Sequence, residues 1–150
     1  MTDPAIVSCP NCGRRNRVPA VAAGTPRCAV CATPLPWLVR TGEDDFDAIV
    51  RSALPVLVDF WAPWCRPCDI VAPGVEQAAE RLAGRLKVVK VDIDRAQDVG
   101  GRYGVRSIPS LLVLRDGKEV ARQVGAVPPP RLLQWIEEVI QQDNQPAPSA

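Results

Sequence analysis

Cys65 and Cys68 stand where an apolar stretch ends and a helical pattern begins. Residues 54–60 predict a buried strand, and apolar residues at intervals of three and four over 71–82 predict a helix. The first turn of a helix carries N–H groups without partners and the positive end of the helix dipole, and both stabilise a thiolate. A cysteine in such a place has a lowered pKa and is a nucleophile at neutral pH. The spacing therefore predicts a reactive thiolate at Cys65, with Cys68 near enough to form a disulfide with it.

The residues beside this pair favour the same chemistry. Pro67 suits the first turn of a helix, where a missing N–H costs nothing. The flanking tryptophans, Trp61 and Trp64, predict an apolar, stiff approach to the sulfur atoms. Asp59 lies inside the apolar run, which predicts a buried carboxyl group with a raised pKa, although a polar residue at a strand end is the alternative. For the cysteine pair itself, the alternatives are half of a zinc site or an inert buried pair.

Four further cysteines form two C-x-x-C pairs near the N-terminus. The separation of the two pairs is typical of a zinc ribbon, in which four thiolates hold one structural Zn²⁺ in a tetrahedron. Two redox pairs or a disulfide framework are the alternatives. This segment has few large apolar residues, so metal binding would have to supply its folding free energy. The predicted zinc ligands are Cys9, Cys12, Cys28 and Cys31.

Composition restricts the partners and the compartment. The net charge of +1 argues against a nucleic-acid partner, and no apolar run reaches the ~18 residues of a membrane span. The N-terminus shows no basic segment followed by an apolar stretch, so we expect a cytoplasmic protein. In that compartment cysteine pairs serve as metal sites or redox catalysts rather than structural disulfides. The chain contains no histidine, which excludes histidine-assisted nucleophiles and histidine zinc ligands.

The pattern of elements predicts a zinc-ribbon domain over 1–36, an α/β domain over 37–141 and a disordered polar tail over 142–150. Thr41, with an acid three residues later, predicts the cap of the first helix. Asp116-Gly117 predicts a hairpin, so the last two strands are antiparallel, whereas the long earlier crossovers allow parallel pairing. We therefore expect a central mixed sheet with helices on both faces. Strands are predicted near 37–40, 55–60, 86–93, 110–114 and 118–124, and helices near 42–52, 65–83, 95–103 and 131–140.

Taken together, these residues resemble the thioredoxin family. The resemblance rests on the stretch from Asp59 to Cys68, on Ile108-Pro109 and on Gly125 after the hairpin. A C-x-x-C pair at a strand–helix junction is the known motif of that family. The two amino-terminal C-x-x-C pairs narrow the resemblance to the thioredoxin 2 group, the bacterial members with an added zinc ribbon. It implies the thioredoxin fold and a monomeric protein-disulfide reductase without a bound organic cofactor, recycled by NADPH-dependent thioredoxin reductase.

The resemblance also implies roles for individual residues. Cys65 would attack the disulfide of a protein substrate and Cys68 would resolve the mixed disulfide. Asp59 would exchange a proton with Cys68, and Lys90 would tune Asp59. Pro109 would be a cis-proline facing the disulfide. The residues implied to contact the substrate are Trp64, Arg66, Pro67, Ile108, Pro109 and Gly125.

Arg66 departs from the family pattern, which has glycine at this position. A guanidinium near the thiolate favours the reduced, charged form, so we expect a slightly more oxidising protein. The same charge predicts a preference for substrates with acidic surfaces.

Two other functions stay open. In one, the basic ribbon docks nucleic acid or protein and the C-terminal fold is a scaffold, although the basic excess is small and no basic stripe with interleaved aromatic residues follows. In the other, oxidation of the zinc thiolates releases the metal, and the protein is a redox sensor.

Overall fold

The computed structural model describes residues 2–143 and forms two sheets and four helices within that range. A small sheet pairs β1 with β2, and a five-stranded sheet has the order β3-β5-β4-β6-β7. The strands are β1 (Ala5–Ser8), β2 (Arg15–Val18), β3 (Leu38–Thr41), β4 (Val56–Trp61), β5 (Lys87–Asp92), β6 (Ser110–Arg115) and β7 (Lys118–Val124). The helices are α1 (Phe46–Val50), α2 (Arg66–Arg81), α3 (Gln97–Arg102) and α4 (Pro129–Asp143).

The five-stranded sheet is mixed, as predicted. The pairs β3–β5 and β4–β5 are parallel, whereas β4–β6 and β6–β7 are antiparallel. The predicted hairpin joins β6 to β7, and Asp116 and Gly117 have φ angles of 54° and 77°. Positive φ at both central residues is the geometry of the tight turn that matches the twist of paired strands. The small sheet was not predicted, because its strands are only four residues long and mostly exposed.

The central strand β4 is buried on both faces, and its side chains alternate between two cores. On one face Val58 and Phe60 pack with residues of α1, α3 and the N-terminal segment. On the other face Leu57 packs with α2 and α4. The helices therefore cover both faces of the sheet, which confirms the predicted fold class.

The predicted cap of the first helix is wrong. Thr41 belongs to β3, and its hydroxyl donates to the carbonyl oxygen of Gly42 rather than capping a helix. Glu43, which lies between Thr41 and the acid of the predicted cap, Asp44, accepts the backbone N–H groups of Asp98 and Val99 at the start of α3. A side chain inside the predicted cap segment thus bonds to a helix start 55 residues later in the chain, a contact that no local pattern reveals.

The C-terminal helix extends further than expected. It ends at Asp143, two residues into the segment predicted as a disordered tail, and residues 144–150 of that tail lie outside the described residues. Trp135 in this helix is only partly buried, whereas Leu132 and Ile136 are fully buried against α2. No helix within residues 2–143 combines the length and apolar character needed to span a membrane.

Candidate functional site

A disulfide joins Cys65 and Cys68 at the junction of β4 and α2, with 5.3 Å between the Cα atoms. Cys65 is the residue that caps α2, and the backbone N–H of Cys68 donates to its Sγ at 3.2 Å. Pro67 lies in the first turn, as predicted. A sulfur atom in this place faces a backbone donor and the positive end of the helix dipole, so the geometry stabilises an anion on Cys65.

The disulfide lies at the boundary between a small apolar cluster and an exposed rim. Each cysteine keeps only 4% of its surface exposed, and Trp61, Ile93 and Ile108 pack against the pair. A substrate sulfur must therefore come close to the protein surface to reach Cys65.

The rim beside the disulfide is open to a partner. Trp64 is 68% exposed, and Arg66 and Pro67 are exposed as well. The indole N–H of Trp64 donates to Oδ2 of Asp94 at 2.9 Å. This bond fixes the large exposed ring next to the disulfide, and Asp94 is a contributor that the sequence analysis did not identify.

The turn before β6 completes the surroundings of the disulfide. The Ile108–Pro109 bond is cis, as the resemblance implied. The N–H of Gly125 donates to the carbonyl oxygen of Pro109 at 2.9 Å, and Gly125 has a φ of 96°, a conformation that favours glycine. The hydroxyl of Ser110 donates to the carbonyl oxygen of Ser107 at 2.6 Å and closes the turn.

Asp59 is buried, as predicted, with 1% of its surface exposed. It lies two positions after Leu57 along β4, so both side chains point toward the face that α2 covers. Burial raises the pKa of Asp59 from 3.8 to about 6, while the charges of Lys90 and Arg40 oppose that rise. Among the described residues, none forms a hydrogen bond with its Oδ1. Asp59 is thus a buried carboxyl group that titrates near neutral pH.

The two cations lie beside Asp59 because of strand register. Lys90 is the partner of Asp59 across β4–β5, and Arg40 is the partner of Lys90 across β3–β5. Lys90 is buried, and its Nζ lies 5.4 Å from the ring centroid of Trp61. Lys90 was expected here only from the family resemblance, and nothing in the sequence pointed to Arg40, because strand order is needed to place β3 next to β5.

The four amino-terminal cysteines lie together, as the spacing predicted. Their sulfur atoms are all within 4.8 Å of one another, and the distances Cys9–Cys31 and Cys12–Cys28 are both 3.6 Å. A tetrahedron with metal–sulfur distances of about 2.3 Å has edges of about 3.8 Å. The donor set therefore fits a single tetrahedral ion such as Zn²⁺.

The two C-x-x-C turns, called knuckles here, have the same backbone conformation: the first covers residues 9–13 and the second residues 28–32. In the first, the N–H of Gly13 donates to the carbonyl oxygen of Cys9 at 2.9 Å, and in the second the N–H of Ala32 donates to that of Cys28 at 2.9 Å. The residue at this position has positive φ in both knuckles, 80° for Gly13 and 62° for Ala32. Each knuckle therefore needs a left-handed residue four positions after its first cysteine, and the second knuckle meets that need with alanine.

Asn16 links the knuckles and was not identified from the sequence. Its side-chain amide donates to the carbonyl oxygen of Arg14 at 2.9 Å and accepts the N–H of Ala29 at 3.0 Å. It is 7% exposed, so both bonds are shielded from water.

In the second knuckle the hydroxyl and backbone of Thr33, together with Asn11, lower the pKa of Cys31 to about 5. These contacts favour the thiolate form that a metal ion requires.

Comparison with known proteins places the disulfide-bearing part in a family. A family model described as Thioredoxin matches residues 38–138 and begins after the four-cysteine segment. Thioredoxin C-2 of Corynebacterium nephridii is 45% identical over 104 residues, which are 69% of this chain and 96% of that protein. Thioredoxin of Haemophilus influenzae is 42% identical over 104 residues, 69% of this chain and 97% of its own. Thioredoxin of Bacillus subtilis is 42% identical over 99 residues, which are 66% of this chain and 94% of that protein.

We predict that replacing Asp59 by Asn changes how stability depends on pH. The folded-state pKa of about 6 exceeds the ordinary value of 3.8, so folded protein binds the proton more tightly than unfolded protein. The wild type therefore loses stability as pH rises from about 4 to 6, by about 3 kcal/mol in total. Relative to wild type, Asp59→Asn should gain about that amount between pH 3.5 and 7.5. Urea unfolding of both oxidised proteins across this range measures the difference, and parallel curves would contradict it.

The knuckle geometry predicts opposite effects for two substitutions. A side chain in the left-handed region costs about 1 kcal/mol, so Ala32→Gly relieves strain and Gly13→Ala introduces it. Because a zinc ion held by the four cysteines would bind only the folded segment, zinc affinity should rise about fivefold for Ala32→Gly and fall about fivefold for Gly13→Ala.

Competition with a chelator measures both affinities. Gly24→Ala is the matched control, since Gly24 has no positive φ and a Cβ there meets no atom within 4 Å. If both knuckle variants bind zinc as the control does, the backbone does not limit metal affinity.

Proposed function

This chain belongs to the thioredoxin family and is a disulfide oxidoreductase, and we propose that it works as a cytoplasmic protein-disulfide reductase of the zinc-containing thioredoxin 2 group. The observation that carries the proposal is the position of Cys65, whose sulfur accepts the N–H of Cys68 at the start of α2 and is bonded to the Cys68 sulfur. NADPH-dependent thioredoxin reductase is the proposed source of electrons, disulfide-containing proteins are the proposed substrates, and the proposed working form is a monomer.

The proposed reaction begins with the reduced pair. The thiolate of Cys65 attacks one sulfur of the substrate disulfide, a mixed disulfide forms, and the other substrate sulfur leaves as a thiolate. Cys68 then loses its proton and attacks the Cys65 sulfur, which releases the second substrate thiolate and leaves the disulfide of this structure. Two electrons pass to the substrate, and thioredoxin reductase returns two to the protein.

Asp59 is the proposed proton acceptor for Cys68. Its pKa of about 6 means that it is mostly ionised at neutral pH and remains basic enough to take a thiol proton. It points to the face of the sheet that α2 covers, and Cys68 lies in the first turn of that helix. Lys90, its partner across the strand pair, would keep the carboxyl group from rising to a still higher pKa.

The surfaces beside the disulfide are the proposed contacts with the substrate. Exposed Trp64, Arg66 and Pro67 flank the cysteines along the chain. The turn of Ile108 and Pro109 lies just before β6, and the Pro109 carbonyl oxygen accepts the N–H of Gly125. Ile108 packs against the small apolar cluster of Ala62, Cys65 and Cys68, so substrate backbone bound along this turn would approach Cys65.

We also propose that Cys9, Cys12, Cys28 and Cys31 hold one structural Zn²⁺. The support is the fit of the four sulfur atoms to a tetrahedron and the two knuckles of matching geometry. A bound Zn²⁺ would supply folding free energy to a segment with little core of its own. On this proposal residues 1–36 are a zinc-ribbon domain, 37–141 the thioredoxin domain and 142–150 a separate tail.

The decisive measurement is insulin reduction driven by NADPH and thioredoxin reductase, with zinc analysis of the same sample. We expect NADPH turnover that depends on this protein and one zinc per chain. Stoichiometric zinc without turnover would favour the rival function, a binding module with an inactive scaffold.

Two cysteine variants test the attack step and the resolution step separately. Cys65→Ser should abolish insulin reduction, because no attacking thiolate is left. Cys68→Ser should instead accumulate mixed disulfides with substrates, visible as bands that reductant removes. Activity retained by Cys65→Ser would overturn the assignment of Cys65.

Arg66 should raise the redox potential of the disulfide. A positive charge near the thiolate stabilises the reduced form, and about 0.7 kcal/mol corresponds to roughly 15 mV for two electrons. We expect Arg66→Gly to lower the potential by about this amount, and Arg66→Lys to keep most of it because the charge stays. Equilibration with glutathione measures the three potentials, and an unchanged or higher value for Arg66→Gly would reject the electrostatic explanation.

A further inference from the structure

Lys87, the first residue of β5, is an unusual buried lysine. No part of it is exposed. It follows Gly84 and Leu86 at the start of the strand and points to the face opposite Lys90, since the two are three positions apart on a strand. Among residues 2–143, no carboxylate forms an ion pair with Lys87. A buried ammonium group without an acid is costly unless its N–H groups are bonded.

The bonds of Lys87 reach two separate parts of the chain. Its Nζ donates to the carbonyl oxygen of Ile49, near the C-terminal end of α1, at 2.6 Å. It also donates, at 2.6 Å, to the carbonyl oxygen of Ala20, which lies in the proposed metal-binding segment, residues 2–36. The ammonium group also lies 4.1 Å from the ring centroid of Trp37. Two carbonyl oxygens and an aromatic face therefore stabilise one cation.

Trp37 itself is bonded to the metal-binding segment. It is 1% exposed, and its indole N–H donates to the carbonyl oxygen of Pro19 at 2.9 Å. Pro19 and Ala20 directly follow β2, the strand that leaves the first knuckle. The two backbone carbonyls after β2 are thus held by two side chains at the start of the five-stranded sheet, Trp37 and Lys87.

A second contact lies next to this one. Gly84, in the turn that leads into β5, is packed so closely that a Cβ there would lie 2.9 Å from Cβ of Pro34 in the metal-binding segment. Leu35 is also buried in the same core as Cys9, Cys28 and Trp37. The metal-binding segment therefore contacts β5 at its start from two directions, while Cys65 lies at the opposite end of the adjacent strand β4.

From these contacts we infer that Lys87 couples metal loading of the four cysteines to the stability of the redox domain. When the metal holds β2 in place, the carbonyl oxygen of Ala20 is available to the buried ammonium group. When the segment unfolds, that bond, the Trp37 bond and the apolar contacts are lost together. By linkage, the same contacts strengthen metal binding when the sheet is folded. The inference rests on the metal site proposed above.

The test compares metal-loaded and metal-stripped full-length protein, kept under a thiol reductant, as wild type and Lys87→Met. We expect metal removal to lower the melting temperature of the wild type by at least about 5 °C and to speed hydrogen exchange of the β5 amides. In Lys87→Met the shift should shrink to about half or less, and zinc should bind about tenfold more weakly. The comparison uses the metal-dependent difference, so the stability of the variant itself does not enter.

Lys118→Met is the matched control, because Lys118 is exposed at the start of β7 and should behave as wild type. Trp37→Phe keeps an aromatic ring but loses the hydrogen bond to Pro19, so it should weaken zinc binding. It provides a second test of the coupling if Lys87→Met does not fold. Zinc binding at one per chain with equal melting shifts in wild type and Lys87→Met would overturn the coupling alone. Absence of zinc binding in wild type would overturn the metal site together with the coupling.

Discussion

The redox site depends on one constraint, which is that a strand buried on both faces ends only four residues before the first turn of a long helix. β4 supplies the rigid end, and α2 supplies the backbone N–H of Cys68 that reaches the sulfur of Cys65 at 3.2 Å. Because β4 is central, parallel β5 ends and antiparallel β6 begins on the side of the cysteines. Ile108, just before β6, packs against the apolar cluster that contains both cysteines. The same burial that fixes the strand also desolvates Asp59 and makes its carboxyl group titrate near neutral pH.

Strand β5 connects the two chemical centres of the molecule. Its alternation sends Lys90 toward the face of α2, beside Asp59, and Lys87 toward the opposite face, where the proposed metal-binding segment packs. In each case a buried cation is stabilised by a different device. Lys90 lies opposite an acid, whereas Lys87 bonds to two carbonyl oxygens and lies on an aromatic ring. Docking of the amino-terminal segment can therefore stabilise the sheet through β5, without contact between that segment and the disulfide.

Predictions from sequence succeeded where the physical cause is local. The Asp116-Gly117 turn, the helix after Cys65 and the buried environment of Asp59 each follow from a few neighbouring residues. They failed where a distant partner competes. Glu43, inside the predicted cap segment, bonds to α3 instead, and the strands of the small sheet are only four residues long and mostly exposed. Arg40 and Lys87 gave no signal, because a basic residue on a strand is usually solvated and only the packing of other elements buries it.

By itself, the sequence determined the chemistry available to this protein: two cysteines at a helix start, four more at metal-ligand spacing, and an acid within an apolar strand. These follow from spacing along one segment, where geometry is set by the regular repeat of a strand or helix. Only the tertiary structure decided which groups act on one another. The row of Arg40, Lys90 and Asp59 needs the order of three strands, and the contact of Lys87 with Ala20 needs the docking of a segment 67 residues earlier. Such contacts depend on how elements pack, which no local pattern of residues encodes.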